Sequence, residues 1–228
     1  MATSDIRSAL LSRRDPAQPF VTHLGPEGRM ELSTASMANA AAKIANTLGG
    51  EFDLQPGDCV GVHLPWHWQR VAWLLGIWSA GLVAVPGGGE ECDLLVAGPQ
   101  EATGLPGEVH VVSTHPFGMP LDAAAMAQLP PGAEDVTLLV RAQPDVQVFV
   151  ADHSPDVALD GLTQIELLDR GRDVTTHNPG ISRVGLTQGP GQWWLPAIWP
   201  LVSDGSVIMT DIRDDETYQR EHLDAWMD

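Results

Sequence analysis

Three features of the sequence predict an α/β fold with a mixed, largely parallel sheet flanked by helices. Apolar residues recur at helical spacing over 33–48 and again over 66–79. A short apolar run at 58–64 separates those two segments, and a second at 82–85 follows them. Strand, helix and strand therefore lie close together with one crossover, for which a right-handed parallel unit is the favoured geometry.

Taken in order, residues 4–14 read as a short helix with Ile6, Leu10 and Leu11 on one side. Strands at 19–23 and 29–32 flank the turn Gly25-Pro26-Glu27-Gly28 and form a hairpin. Ser33 can cap the next helix, because its hydroxyl can accept a free amide of the first turn. Met37, Ala41, Ile44 and Leu48 make its apolar face, and Gly49-Gly50 ends it. Pro56-Gly57 is a turn, residues 58–64 a strand and residues 66–79 a helix. That helix presents Val71, Leu74, Leu75 and Trp78 to a sheet. Further strands are expected at 82–85, 93–97, 109–113, 136–141, 146–150, 181–187 and 206–212. Helices are expected at 159–169, 192–201 and 214–227. The acidic first turn of the last helix complements its dipole. No period repeats along the chain. It reads as one domain over 1–228, with two lobes at about 1–150 and 160–228 as the alternative.

Composition narrows the function. The chain has 228 residues, 43% hydrophobic and 18% charged, so it can bury a large core. A net charge of −18 without a basic stripe repels phosphate backbones and anionic lipid, so neither nucleic acid nor a membrane is an expected partner. Lys43 is the single lysine among 12 basic residues, which restricts any chemistry that needs an amine. It reads as a solvent-facing charge. Cys59 and Cys92 lack metal-site spacing, and Cys59 within a strand reads as a buried free thiol. The N-terminus lacks the apolar core of a signal peptide, and a cytoplasmic setting is expected.

Several residue groups were weighed for chemistry. His63 and His67 are four apart, but Pro65 lies between them, so they do not share a helical face and no metal is expected. Gly87-Gly88-Gly89 runs into Glu90 and Glu91, which would repel an anion, and reads as a flexible loop. Asp152-His153-Ser154-Pro155-Asp156 reads as a polar turn rather than a triad. Most of the eight tryptophans should be core. Trp66, His67 and Trp68, however, open a helix beside a strand end, where pockets of open α/β sheets form.

The segments Glu31-Leu32-Ser33, Gln55-Pro56-Gly57-Asp58 with the strand to Pro65, and Ala80-Gly81-Leu82-Val83-Ala84-Val85-Pro86 together resemble the N-terminal part of adenylate-forming enzymes, the AMP-binding acyl-CoA synthetase superfamily. Leu195-Pro196-Ala197-Ile198-Trp199-Pro200-Leu201 and Gly205-Ser206-Val207-Ile208-Met209 resemble the helix and strand that follow the phosphate loop of that family. Short actinobacterial proteins that look like N-terminal pieces of such synthetases are similar too. The resemblance implies a truncated synthetase N-terminal domain. It also implies a Ser/Thr/Gly-rich loop ending in lysine, which 109–189 does not contain; Asp160-Gly161-Leu162-Thr163-Gln164 and Gly185-Leu186-Thr187-Gln188-Gly189 are not basic. Lys43 does not match the family's catalytic lysine, and no counterpart of its small C-terminal domain is found.

The expectation is a non-catalytic relic of the fold acting by binding or assembly, without catalytic residues or a cofactor. The alternatives are a fragment whose partner supplies the missing half in acyl activation, and a binding module for an acyl or aromatic small molecule. Homodimers or a protein partner are expected. Ligand-contacting residues are expected at His63, Trp66, His67, Trp193 and Trp194, the last two lying near where the family begins to line its acyl pocket.

Overall fold

The computed structural model describes residues 5–149, 158–159, 161–189 and 193–227. The first half of the chain runs α1 (Ile6–Leu11), β1 (Pro19–Gly25), β2 (Gly28–Ser33), α2 (Thr34–Asn46), β3 (Cys59–His63), α3 (Trp68–Ser79), β4 (Val83–Pro86), β5 (Leu94–Ala97) and β6 (Val109–Val111). There follow α4 (Ala123–Met126), β7 (Ala133–Asp135), α5 (Thr137–Ala142), α6 (Gln164–His177), β8 (Arg183–Leu186), α7 (Leu195–Ser203), β9 (Ser206–Thr210), α8 (Asp215–Arg220) and β10 (Ala225–Met227).

The strands form two five-stranded sheets, ordered β10-β8-β9-β1-β2 and β4-β3-β5-β6-β7. Among the described strands only the β1–β2 hairpin is antiparallel, with Gly25 opposite Gly28. The remaining pairings are parallel, as predicted for β3 and β4. The sheets do not follow a division into 1–150 and 160–228. β1 crosses that line to pair with β9, with Val21 beside Val207. The main apolar core draws on both sheets and on α1, α2, α3, α6 and α7. Trp73, Trp78 and Trp199 are fully buried in it.

Local chemistry explains where elements begin. Ser33 caps α2 as predicted, accepting the Ser36 amide. His67 caps α3 through Nδ1, which accepts the Gln69 amide at 3.2 Å. Trp66 and His67 therefore precede the helix rather than open it. Thr163 and Glu166 close a capping box on α6, which begins later and runs longer than the sequence suggests.

Other elements depart from expectation. Gly49-Gly50 does not stop the helix, since a π-turn at Thr47–Glu51 continues it. A Cβ on Gly50 would lie 2.7 Å from the Phe149 ring, so the glycines admit that ring instead. Residues 137–142 are helical, not a strand, because the Asp135 carboxylate receives the Thr137 amide. Residues 146–149 form no strand. Asn46, buried at the end of α2, holds them by accepting the Val148 amide and donating to Val146 O. The final helix ends at Arg220. His222 takes φ +53°, and the chain returns as β10 beside β8.

Lys43 is not a free surface charge. Its Nζ donates to Arg141 O at 3.1 Å and pairs with Asp145 at 3.0 Å. Cys59 is only half-buried and lies beside Cys92, whose thiol is pushed up to about 12 by burial and by the Cys59 sulfur. The polar turn expected at 152–156 lies outside the described residues.

Candidate functional site

The second sheet contains a topological switch. From β3 the chain crosses to β4 on one side, then returns to β5 on the other. In open α/β sheets ligands bind beyond the carboxyl ends of the strands at such a point. The return from β4 to β5 carries no helix. Residues 87–93 pass directly across β3, so that a Cβ on Gly61 would lie 2.8 Å from Gly88 O. The loop is pinned by Gly87 N to Val62 O and Gly88 N to Val85 O, each at 3.2 Å. The run Gly87-Gly88-Gly89 is thus a crossover, and its use is close backbone packing.

A cavity of about 380 Å³ opens at this switch point. His63, Leu64 and Pro65 from the end of β3, Pro86 and Gly87 from the end of β4, and Arg70 from α3 line one side. Glu101 follows β5 in a turn closed by Ala102 N to Gly98 O. Gln188, Gly189 and Trp193 complete it from the other sheet's side of the molecule.

Its polar groups are positioned by backbone contacts. His63 Nε2 lies 2.6 Å from Gly88 O and donates to it in the neutral ring, leaving Nδ1 as an acceptor. Arg70 donates from both Nε and Nη2 to Leu64 O and lies 5.6 Å over the Trp66 ring. Burial pushes its guanidinium down to about 10, opposed by the Glu101 charge, so it stays cationic at neutral pH. Glu101 Oε2 is buried and has no hydrogen-bond partner among the described residues. Arg70 and Glu101 thus face one cavity without closing an ion pair. The arrangement can hold a small molecule that offers both a donor and an acceptor, with Trp193 as a wall.

Two of the five expected ligand-contacting residues, His63 and Trp193, meet in this cavity. The other three do not line it. Trp66 is buried beneath Arg70, and Trp194 is buried at the start of α7. His67 turns to His23, with ring centroids 4.5 Å apart. Burial, with the neighbouring His23, pushes His67 down to about 3. Its Nε2 lacks a partner. Sequence reading missed Arg70 and Glu101. The only signal for Arg70 was an arginine in the first turn of an otherwise apolar helix, and Glu101 had none. Among the described residues no group of three His, Cys, Asp or Glu side chains could hold a metal ion.

Comparison with known proteins bears on the fold. Residues 11–88 match the family model of the AMP-binding enzyme. An acyl-CoA synthetase of Brucella canis superposes on 97% of this chain with a TM-score of 0.74, at 14% identity. The fold is that of the N-terminal half of acyl-CoA synthetases. ATP-bound MatB from Rhodopseudomonas palustris covers 98% of the chain with a TM-score of 0.69, at 15% identity. At such identities the structural likeness speaks for fold alone. A TIGR03089 family protein of Mycobacterium tuberculosis is 34% identical over 170 residues, 68% of this chain. The chain spans 65% of that relative's length, and 46% and 48% of the two solved structures. No helix among the described residues is long and apolar enough to cross a membrane.

Proposed function

We propose that this chain is a non-catalytic, ligand-binding derivative of the acyl-CoA synthetase N-terminal half. Its ligand is a small acyl or aromatic molecule seated at the β3–β5 switch point. The observation that carries the reading is the position of Lys43. Adenylation develops negative charge on transferring phosphates, which cations must offset. The one lysine is instead held against Arg141 O and Asp145, outside the lining of the cavity. The cavity's Arg70 faces Glu101, and the chain as a whole carries −18. These features support binding rather than phosphoryl chemistry.

The test pairs two measurements on purified protein. ATP–pyrophosphate exchange over an acyl panel is expected to give no turnover. Thermal-shift screening with fatty acids, acyl-CoAs, aromatic acids, ATP and AMP is expected to find a stabilising ligand whose effect is lost in Arg70→Gln. Robust exchange would overturn the non-catalytic reading, and a flat screen would overturn the binding one.

Arg70 is the only Lys or Arg among the described lining residues of the cavity, which favours a second reading in which a partner protein completes the site. Affinity purification from the native host tests it. The expected companion carries a Ser/Thr/Gly-rich phosphate loop and lysine and restores exchange when added back. Failure of every recovered protein to restore exchange rejects this reading.

A further inference from the structure

A second cavity, of about 900 Å³, lies against the hairpin of the first sheet and shares no lining residue with the switch-point cavity. Its wall is partly apolar, from Leu24, Pro26 and Ile212, and Ile212 is 60% exposed. Its charged part is organised by one buried carboxylate. Glu221 is 4% exposed and lies where the short helix α8 turns toward β10. Arg29 Nε meets Glu221 Oε2 at 3.1 Å, and Arg220 Nε meets Oε1 at 3.3 Å. Arg183, which also lines the cavity, lies 3.6 Å from both Glu221 and Glu31. Glu31 also takes Arg29 Nη2 at 2.6 Å.

This network holds two guanidinium groups on the two oxygens of one carboxylate, both lining the cavity. Their inner edges are used. Arg29 Nη1 and Arg220 Nη2 make no hydrogen bond to the described residues. Glu216 stands 3.9 Å from Arg220 but is 87% exposed, so water screens that pair. Asp211 is also exposed and forms an acidic lip. Among the lining side chains three arginines face two carboxylates, in a chain whose net charge is −18. Two adjacent guanidinium edges suit a bridging oxyanion, since charge-assisted bonds to carboxylate or phosphate are the strongest that arginine makes.

We propose that this cavity binds a small organic anion, its oxyanion headgroup bridging Arg29 and Arg220 and its apolar tail lying on Leu24, Pro26 and Ile212. A carboxylate and a phosphate monoester share the required chemistry. Isothermal titration of the 228-residue chain at low salt, with hexanoate, hexyl phosphate and hexan-1-ol, separates them. At least one anion is expected to bind with a single site, and the alcohol is not. The anion that binds identifies the headgroup. Arg220→Gln and Ile212→Asp alter exposed side chains and are expected to weaken binding by about tenfold each. Arg70→Gln, in the other cavity, should leave it unchanged. Equal binding of the alcohol overturns the proposal. So does silence from both anions at millimolar concentration, or an unaltered affinity in Arg220→Gln. Loss of binding in Arg70→Gln would move the anion to the switch-point cavity and reject this one.

Discussion

At His67 the backbone and the ring's surroundings make the same demand, a neutral imidazole. The Nδ1 atom must stay unprotonated to cap α3, and burial disfavours the charged ring. Its folded pKa is about 3, against 6.5 for the free side chain. The stability tied to the neutral ring is therefore fully present above pH 6.5 and is lost as the pH falls from there toward 3. The unfolded chain takes up a proton that the folded one refuses. By pH 4 the loss is about 3 kcal/mol. In His67→Asn, which keeps a capping acceptor without titrating, the acid limb should flatten by that amount. Urea midpoints at pH 4 and 7 measure it, and an unchanged acid limb would sink the assignment. Lys43→Met should cost about 1–2 kcal/mol, because it leaves carbonyl and carboxylate partners unpaired. A loss under a few tenths in the same assay would return Lys43 to the surface reading. The candidate site was half legible at this scale. His63 was read from a strand end and Trp193 from the resemblance to the family's acyl-pocket segment, and both line the candidate cavity. Glu101 was not, since a carboxylate in a polar turn looks like any solvated charge until Gly98 and Arg70 are placed around it.

Among the elements, the bare crossover from β4 to β5 imposes the tightest demand. Parallel strands of one sheet are usually joined by a dozen residues or more, commonly through a helix. Here residues 87–93 suffice because β3 presents Gly61 to the backbone above it. Gly61→Ala places a methyl group against Gly88 O and the Leu95 side chain, so it should destabilise the fold by about 1–3 kcal/mol. Because the same loop supplies Gly87 to the cavity and Gly88 O to His63, ligand affinity should fall with it. Denaturant midpoints and the thermal-shift ligand together check this, and a neutral substitution would show that the loop can lift. The periodic elements were readable from sequence, since α2, α3 and β3 each carry their own pattern. Where partners decide, it failed. The run from Val136 to Val140 is apolar enough for either state, and Asp135 settles it as a helix. The end of the chain looked helical throughout, yet Asp224 accepts the Ser182 and Arg183 amides and draws it into a parallel strand.

On the scale of the molecule, the same mixing of distant segments governs cooperativity. β1 is an interior strand of its sheet, bonded to β2 on one side and to β9 on the other. Removing residues 160–228 would therefore expose one edge of β1 and uncover the face of α3 that packs on α7. It would also remove Gln164, whose side chain joins Ile6 N to Trp78 O at 2.9 and 2.8 Å. A core shared between sheets unfolds as one unit when each part lacks a closed apolar layer of its own. The full chain should accordingly show one unfolding transition, coincident by far-ultraviolet circular dichroism and by tryptophan fluorescence. A fragment of residues 1–150 should lack protected amides in β1 and α3 under the same conditions. Two resolved transitions, or a fragment with native-like amide protection, would show that the second sheet and its helices fold as an independent lobe.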